Sequence, residues 1–243
     1  MSGRHAPLLD IRAAIVDLDG TMVDTLGDFV VALNRTLAEL DLPPVARAVV
    51  ERTVGKGSEH LIRSVLAHQL ALPEVIGLSN VCSARSVDTL YEPAWQRYQA
   101  HYKAINGDHA EVYPGVSEGL AAMRARGWRL ACLTNKPRAF AETLLARKGL
   151  ALHFEVVFGG DSFARKKPDP LPLLKTCEHL GVAPVQTLMV GDSSNDAQAA
   201  NAAGCPVVLV SYGYNHGQPI RQTPAEAWVD RLDALPAVLG LSD

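Results

Sequence analysis

Short apolar runs that end in glycine or polar residues recur along this chain, and they constrain its fold more than any other feature. The first occupies residues 13–18, similar runs occupy 130–134, 187–191 and 206–210, and a weaker one occupies 156–158. Unbroken apolar runs of this length are typical of strands that are buried on both faces of a parallel sheet. We therefore expect five such strands, each leading into a loop at its carboxyl end.

Helical patterns lie between these runs. They cover residues 116–126, 140–148, 171–180 and 197–203. Glycines follow these patterns, for example Gly127, Gly181 and Gly204, which is typical of helix ends. Strands that alternate with helices predict an α/β fold with a doubly wound, Rossmann-like parallel sheet. Such sheets bind ligands outside the carboxyl ends of their strands, so a site is expected in the loops after the apolar runs.

The stretch between residues 25 and 104 departs from this alternation. Helical spacing of apolar residues runs from 26 to 40, Pro43-Pro44 interrupts it, and residues 59–70 and 81–102 again have helical patterns. No strand pattern occurs there, and the stretch is several times longer than the ~15 residues expected of a plain loop. The sequence therefore predicts an inserted subdomain made only of helices.

This insertion divides the chain into two predicted domains. Residues 1–23 and 106–243 would form the α/β core, and residues 24–105 would form a helical cap. Because the cap begins just after the loop that follows the first strand, we expect it to cover that loop as a lid.

Two carboxylates follow the first apolar run, at Asp17 and Asp19. A spacing of two keeps their side chains on one side of an extended chain. Gly20 then permits a tight turn and a close approach of the backbone to a ligand. Paired carboxylates bind a divalent cation or divide into an ionised and a protonated form. The competing interpretation is a turn with solvated acids, because turns favour Asp and Gly.

Polar residues also follow three later runs. Asp192 adds a carboxylate suited to a hard cation, although Ser194 or Asn195 could instead cap a helix that starts at Asp196. The Thr134 hydroxyl and nearby backbone N–H groups could hold a phosphoryl oxygen, or form only a capping turn. Lys167 supplies a cation before a helix, where a solvated basic turn is the alternative. Because all these groups lie at one sheet edge, the combination predicts one site.

The motifs carrying these residues resemble those of the haloacid dehalogenase superfamily, in its subgroup with a helical cap. They are 17–24 (Asp-Leu-Asp-Gly-Thr-Met-Val-Asp), Thr134-Asn135, Lys167-Pro168, and Gly191-Asp192 with Asp196. Much of the chain after Tyr113 is similar to the bacterial phosphoglycolate phosphatases, above all residues 212–217 (Tyr-Gly-Tyr-Asn-His-Gly). That segment has His216 where the group has Tyr, and Ser194 stands where Arg is frequent.

The resemblance implies a reaction and a role for each residue. Asp17 would be the nucleophile that forms an aspartyl-phosphate, and Asp19 the general acid and base. Mg²⁺ would bind the carboxylates of Asp17 and Asp192 and the backbone carbonyl of Asp19. The implied substrate is a small phosphorylated metabolite, with 2-phosphoglycolate favoured, whose transferring oxygens Thr134 and Lys167 would hold.

Further roles implied by the resemblance are supporting ones. Asn135 would lie near the transferring group, and Asp196 would orient Lys167 or a metal-bound water. The cap would determine specificity, with Gly55, Lys56 and Gly57 as a possible anion-binding turn and Arg63 on the helix after it. The competing interpretation is that Lys56 and Arg63 are solvated surface charges.

Three other functions remain open at this point. A phosphosugar mutase would share the core and cap but return the phosphoryl group to sugar. A phosphatase for another small substrate, such as pyrophosphate or a nucleotide, would share the whole reaction. A non-catalytic phosphate-binding module would need a missing nucleophile or acid, and both are present. Asp19 separates phosphoryl transfer from halide displacement, because related dehalogenases lack a carboxylate there.

Composition bears on partners and compartment. The chain has 23 Lys and Arg against 26 Asp and Glu, a net charge of -3, which argues against nucleic acid as the main partner. The interrupted start of the chain does not resemble a signal peptide, and no apolar stretch approaches the ~18 residues of a membrane span. Four widely spaced cysteines fit no zinc or redox spacing. We expect a cytoplasmic protein without structural disulfides, bound neither to membranes nor to nucleic acid, and either monomeric or homodimeric.

Overall fold

The computed structural model describes residues 10–78 and 85–240. Its strands are β1 (Ala13–Val16), β2 (Val23–Asp24), β3 (Glu111–Val112), β4 (Arg129–Leu133), β5 (Val156–Phe158), β6 (Thr187–Gly191), β7 (Val207–Val210) and β8 (Ala227–Val229). Its helices are α1 (Leu26–Ala38), α2 (Arg47–Glu51), α3 (Ser58–Leu70), α4 (Pro73–Leu78), α5 (Val87–Ile105), α6 (Val116–Ala125), α7 (Arg138–Arg147), α8 (Leu171–Leu180), α9 (Ser194–Ala203) and α10 (Leu235–Val238).

Six strands form one parallel sheet in the order β5-β4-β1-β6-β7-β8. The predicted α/β fold is therefore confirmed, and all five predicted strands are present in it. The sixth strand, β8, was not predicted, because its three residues lie between Glu226 and Asp230 without the glycines that marked the end of the equally short β5. β1 lies between β4 and β6, so the loops after these three strands meet at one edge of the sheet.

Helices cover both faces of the sheet because the strand side chains alternate in direction. Ala14 and Val16 of β1 pack in a cluster with residues of α6 and α7, whereas Ile15 packs with residues of α8 and α9. All four residues of β1 are buried, as are all five of β6. Burial on two faces explains why these strands were recognisable as unbroken apolar runs.

Helices α1 to α5 lie between β2 and β3 in the chain and pack around one hydrophobic cluster, to which the rest of the chain adds only Tyr214 and Phe140 among the described residues. Residues 25–78 and 85–104 contain no strand, as predicted. The helix expected over 81–102 begins at Val87, and residues 79–84 lie outside the described part of the chain. The division into a core and a cap of residues 24–105 stays a prediction, which the separate cluster favours.

A two-stranded antiparallel ribbon connects the two ends of the helical segment. Val23 pairs with Val112, and Asp24 pairs with Glu111. The sequence did not predict this ribbon, because two-residue strands separated by so long an insertion carry no periodic pattern. Its position brings the entry and the exit of the helical segment together beside the loop that follows β1.

The described cysteines agree with the expectation of free thiols. Cys132, Cys177 and Cys205 are buried and form no disulfide, and Cys82 lies outside the described residues. Residues 1–9, on which the signal-peptide prediction depends, also lie outside them. Of the helices in the described part of the chain, none combines the length and the apolar character of a membrane span.

Candidate active site

The loop after β1 is held in a conformation that only glycine permits at one position. The backbone N–H of Asp17 still donates to the carbonyl of Val190 in β6, at 2.9 Å. Gly20 then has φ of +81°, and a Cβ atom there would lie 2.3 Å from an Asp192 carboxylate oxygen. The turn therefore brings the backbone of this loop directly against Asp192, with Asp17 and Asp19 lining the same cavity.

The loop after β6 supplies Asp192 and the start of α9. The Asp192 carboxylate accepts hydrogen bonds from the Thr21 hydroxyl at 2.9 Å and from the Tyr214 backbone N–H at 2.6 Å. The prediction that Ser194 or Asn195 caps a helix starting at Asp196 is wrong. α9 starts at Ser194, and Ser193 caps it in a reciprocal arrangement with Asp196.

Lys167 is buried among three oxygen atoms. Its Nζ lies 3.0 Å from Asp17 Oδ2, 2.7 Å from Asp196 Oδ1 and 2.8 Å from the carbonyl oxygen of Leu133. Burial alone would lower the pKa of Lys167, but the negative charges of Asp17 and Asp196 outweigh this effect and raise it. Lys167 therefore stays positively charged and lies directly beside Asp17, the predicted nucleophile.

The Asp196 carboxylate links Lys167 to the start of α9. Its second oxygen, Oδ2, accepts from the Ser193 hydroxyl at 2.7 Å and from the backbone N–H groups of Asp192 and Ser193, at 3.2 and 3.1 Å. With its first oxygen on Lys167, the carboxylate has partners on both sides. Of the two orienting roles predicted for Asp196, the contact present in the structure is the one with Lys167.

Three carboxylates converge where the loops meet. Ligand oxygens of Asp17, Asp192 and Asp196 all lie within 4.8 Å of one another. Burial, partly offset by the charge of Lys167 and reinforced by that of Asp196, raises the pKa of Asp17 to about 7. Burial and the charges of Asp196 and Asp17 also raise the pKa of Asp192. This crowding of hard oxygen donors fits a divalent cation, which would neutralise the excess negative charge.

Thr134 and Asn135 follow β4, as predicted, and both line the cavity. The Thr134 hydroxyl accepts a hydrogen bond from the backbone N–H of Lys136 at 3.2 Å. The Asn135 amide donates to the carbonyl oxygens of Gly55 and Lys167, at 2.9 Å each. Asn135 thus connects the helical segment to the core, and its role in binding substrate stays a prediction.

Asp19 forms an ion pair that the sequence analysis did not predict. Lys136 Nζ lies 2.9 Å from Asp19 Oδ1 and 2.6 Å from the hydroxyl of Tyr102 in α5. The Lys136 side chain is 3% exposed and the Asp19 side chain 11% exposed. The signal that could have indicated it was the lysine directly after Thr134-Asn135, but its partners come from distant parts of the chain.

The helical segment closes the cavity with Phe29, Val54, Gly55, Gly57, Ser58 and Leu61. Lys56 is exposed, and its predicted role in anion binding stays a prediction. Arg63 pairs with Glu59 and Asp88 and lies over the ring of Tyr91, within the helical segment itself. The predicted turn therefore meets the cavity through its glycines.

Residues 212–217 follow β7 and form hydrogen bonds with the residues around the site. The Tyr214 hydroxyl contacts Asp24 and accepts from the backbone N–H of Leu26, so this ring packs where the helical segment begins. Asn215 accepts from the backbone N–H of Ser194 at 2.8 Å. His216 Nε2 lies 3.3 Å from Asn195 Nδ2, which also donates to the Gly55 carbonyl. This segment therefore positions Asp192 and the start of the helical segment.

Comparisons with known proteins agree with this geometry. A family model described as haloacid dehalogenase-like hydrolase matches residues 14–210. A phosphoglycolate phosphatase of Cupriavidus necator is 44% identical over 231 residues, which cover 95% of this chain and 94% of the relative. One of Thiobacillus denitrificans is 40% identical, covering 92% and 93% of the two chains.

A solved structure shows the same likeness in three dimensions. It is described as a predicted phosphoglycolate phosphatase from Haemophilus somnus, with a TM-score of 0.86 and 29% identity. It covers 94% of this chain and 98% of its own. The parallel sheet, the carboxylates at its edge and these likenesses lead to one conclusion: the chain belongs to the haloacid dehalogenase-like hydrolase family and is a phosphatase enzyme.

Proposed function

We propose that this enzyme is a Mg²⁺-dependent phosphomonoester hydrolase that converts 2-phosphoglycolate to glycolate and phosphate. The observation that carries the proposal is the placement of Asp17 beside the buried cation Lys167, with Asp19 lining the same cavity. The names of the Cupriavidus and Thiobacillus relatives support the choice of substrate, because the likeness extends over almost the whole chain.

The proposed reaction has two steps. An Asp17 carboxylate oxygen attacks phosphorus, the bond between phosphorus and the ester oxygen breaks, and Asp19 gives its proton to the departing oxygen. Asp19 then takes a proton from a water molecule, whose oxygen attacks the phosphorus of the aspartyl-phosphate. The bond to Asp17 breaks, and phosphate leaves with both side chains restored.

Binding of the phosphoryl group is assigned to core residues. Lys167 lies against Asp17 and would pair with a transferring oxygen, and the Thr134 hydroxyl at the end of β4 would hold another. The helical segment, proposed as the cap of residues 24–105, would exclude water from these contacts.

The metal site is proposed at the carboxylate cluster. Asp17 and Asp192 would hold Mg²⁺ through their carboxylates, with the Asp19 carbonyl as a further ligand, while Asp196 is engaged by Lys167 and Ser193. When bound, the ion would supply positive charge that lets a phosphate anion approach the Asp17 carboxylate.

A rate panel tests the substrate and the metal together. We expect 2-phosphoglycolate to have the highest kcat/KM among small phosphomonoesters, pyrophosphate and nucleotides, and chelation by EDTA to abolish turnover until Mg²⁺ is restored. Product analysis with a hexose phosphate tests the mutase alternative. A mutase would form an isomeric sugar phosphate instead of releasing free phosphate. A low rank for 2-phosphoglycolate would refute the proposed substrate, while rapid release of phosphate from another ester would preserve the reaction class.

Asp19→Asn tests the assignment of the general acid. We expect kcat/KM with 2-phosphoglycolate, which reports only the steps up to departure of the alcohol, to fall on the order of 10²–10⁴-fold, the range usual for removal of such a group. Because p-nitrophenolate leaves without needing a proton, the loss with p-nitrophenyl phosphate should be smaller. Steady-state kinetics with both esters measure this difference, and Asp230→Asn, at an exposed carboxylate, is the control. Equal losses of kcat/KM with the two esters would contradict proton donation by Asp19, because kcat/KM excludes the later step in which Asp19 activates water.

A further inference from the structure

The cavity lined by Asp17 also contains a positively charged side chain, Lys136, that has no role in the proposed reaction. Of the described residues that line it, Lys136 carries the only cationic side chain. Lys167, which is assigned to a transferring phosphoryl oxygen, is not among the lining residues and is engaged by Asp17 and Asp196. Lys136 instead contacts Asp19, the residue proposed to give its proton to the leaving oxygen.

We propose that Lys136 binds the carboxylate of the substrate and thereby selects phosphoesters of 2-hydroxy acids. This inference rests on the proposed function, because it assumes that Asp17 attacks the phosphorus and that Asp19 protonates the ester oxygen. It assigns specificity to a core residue, in addition to the cap turn predicted from the sequence.

The chemistry of the substrate requires this neighbourhood. In 2-phosphoglycolate a single methylene carbon separates the ester oxygen from the carboxylate. A residue that protonates the ester oxygen and a residue that binds the carboxylate must therefore be adjacent. Asp19 and Lys136 meet this condition, since Lys136 Nζ lies 2.9 Å and 3.2 Å from the two Asp19 carboxylate oxygens.

The surroundings of Lys136 hold its ammonium group in place. Nζ lies 4.7 Å from the ring centres of both Phe29 and Tyr102, and aromatic faces attract a cation at this distance. The Tyr102 hydroxyl fixes it further, at 2.6 Å. An ammonium has three N–H donors, and three side-chain oxygens of the described residues lie within hydrogen-bond distance of Nζ: both Asp19 carboxylate oxygens and the Tyr102 hydroxyl. A substrate carboxylate would therefore replace one or both of the Asp19 contacts.

The position of Lys136 also connects carboxylate binding with the helical segment. Phe29 belongs to α1 and Tyr102 to α5, whereas Lys136 follows β4 in the core. The cation is thus enclosed by the two parts of the molecule, in a desolvated place where a charged hydrogen bond is strong. A phosphoester without a carboxylate would leave this cation without a substrate partner there.

The test compares 2-phosphoglycolate with ethyl phosphate, which has a methyl group in place of the carboxylate. We expect the ratio of their kcat/KM values to fall about tenfold or more in Lys136→Met, equivalent to ~1.4 kcal/mol. Lys136→Arg keeps the charge and should retain part of the preference. Lys103→Met, at an exposed lysine beside Tyr102, should leave the ratio unchanged. Because each ratio comes from one protein sample, it does not depend on the folded fraction.

The possible results test the proposed substrate and the role of Lys136 separately. If the wild-type enzyme does not prefer 2-phosphoglycolate to ethyl phosphate, the proposed function fails and this inference fails with it. If the wild type prefers it and Lys136→Met loses both rates by the same factor, Lys136 serves only to position Asp19. That result would overturn carboxylate binding and leave the proposed function intact.

Discussion

Asp17→Asn is expected to abolish phosphatase activity, with a loss of kcat on the order of 10⁴-fold or more, the scale seen when the nucleophile of a covalent mechanism is removed. Asn has nearly the shape of Asp and can still accept the hydrogen bond from the Leu18 backbone N–H, which is 2.7 Å long in the structure. It lacks the charged oxygen that would attack phosphorus. Release of phosphate from 2-phosphoglycolate under saturating Mg²⁺ measures the loss.

The same variant should not be less stable, and this separates loss of chemistry from loss of fold. Burial raises the pKa of Asp17 to about 7, above the ~3.9 of an unfolded Asp. A carboxyl group shifted in this direction favours folding when it is protonated, and that contribution is lost as the pH rises through about 7. Without metal at pH 8, urea unfolding of Asp17→Asn should therefore give a free energy at least equal to that of the wild type. If Asp17→Asn were strongly destabilised, unfolding could explain the loss of activity, and the loss would not identify Asp17 as the nucleophile.

Lys167→Met should lose both activity and stability. The substitution removes the cation between Asp17 and Asp196 and leaves two buried carboxylates without a charged partner. Breaking a buried pair in this way costs ~3–5 kcal/mol of unfolding free energy. Loss of a group that stabilises charge in the transition state should also lower kcat on the order of 10²–10³-fold.

Lys166→Met provides the matched control for this prediction. Lys166 is the neighbouring lysine and is exposed, whereas the Lys167 side chain is 2% exposed. Urea unfolding and steady-state kinetics of the two variants should differ strongly, with Lys166→Met close to the wild type. A larger loss in Lys166→Met would show that the wrong lysine has been assigned to the site.

Much of the core fold was predictable because its strands are buried on both faces. β1 and β7 consist entirely of apolar residues, and β6 has an apolar centre of Leu188, Met189 and Val190. These runs can be recognised without any knowledge of the neighbouring strands. The edge strand β8 carries no such signal, because its three residues lie between Glu226 and Asp230. The ribbon of β2 and β3 carries none either, because its two-residue strands pair across the whole helical insertion. The start of α9 was misplaced because three adjacent residues can all cap a helix, and only the fold selects Ser193.

The candidate site was predictable to the extent that it follows from strand ends. Asp17, Thr134 and Asp192 each follow a core strand, so parallel topology alone brings them together. The Asp19–Lys136 pair was not predictable, because Lys136 is fixed by aromatic rings of the helical segment. The same holds for the Gly55 carbonyl, which two asparagines of the core bind. Contacts between an insertion and its host depend on how the two pack, and no local pattern encodes that.

The central claim is that Asp17 accepts the phosphoryl group of 2-phosphoglycolate. The most direct test is to mix the wild-type enzyme with 2-phosphoglycolate and Mg²⁺, stop the reaction with acid within one turnover, and map phosphorylated peptides by mass spectrometry. The account predicts a phosphoryl group on the peptide containing Asp17, and none in Asp17→Asn. Rapid formation of phosphate with an unmodified Asp17 peptide, or with the phosphoryl group on another residue, would contradict it.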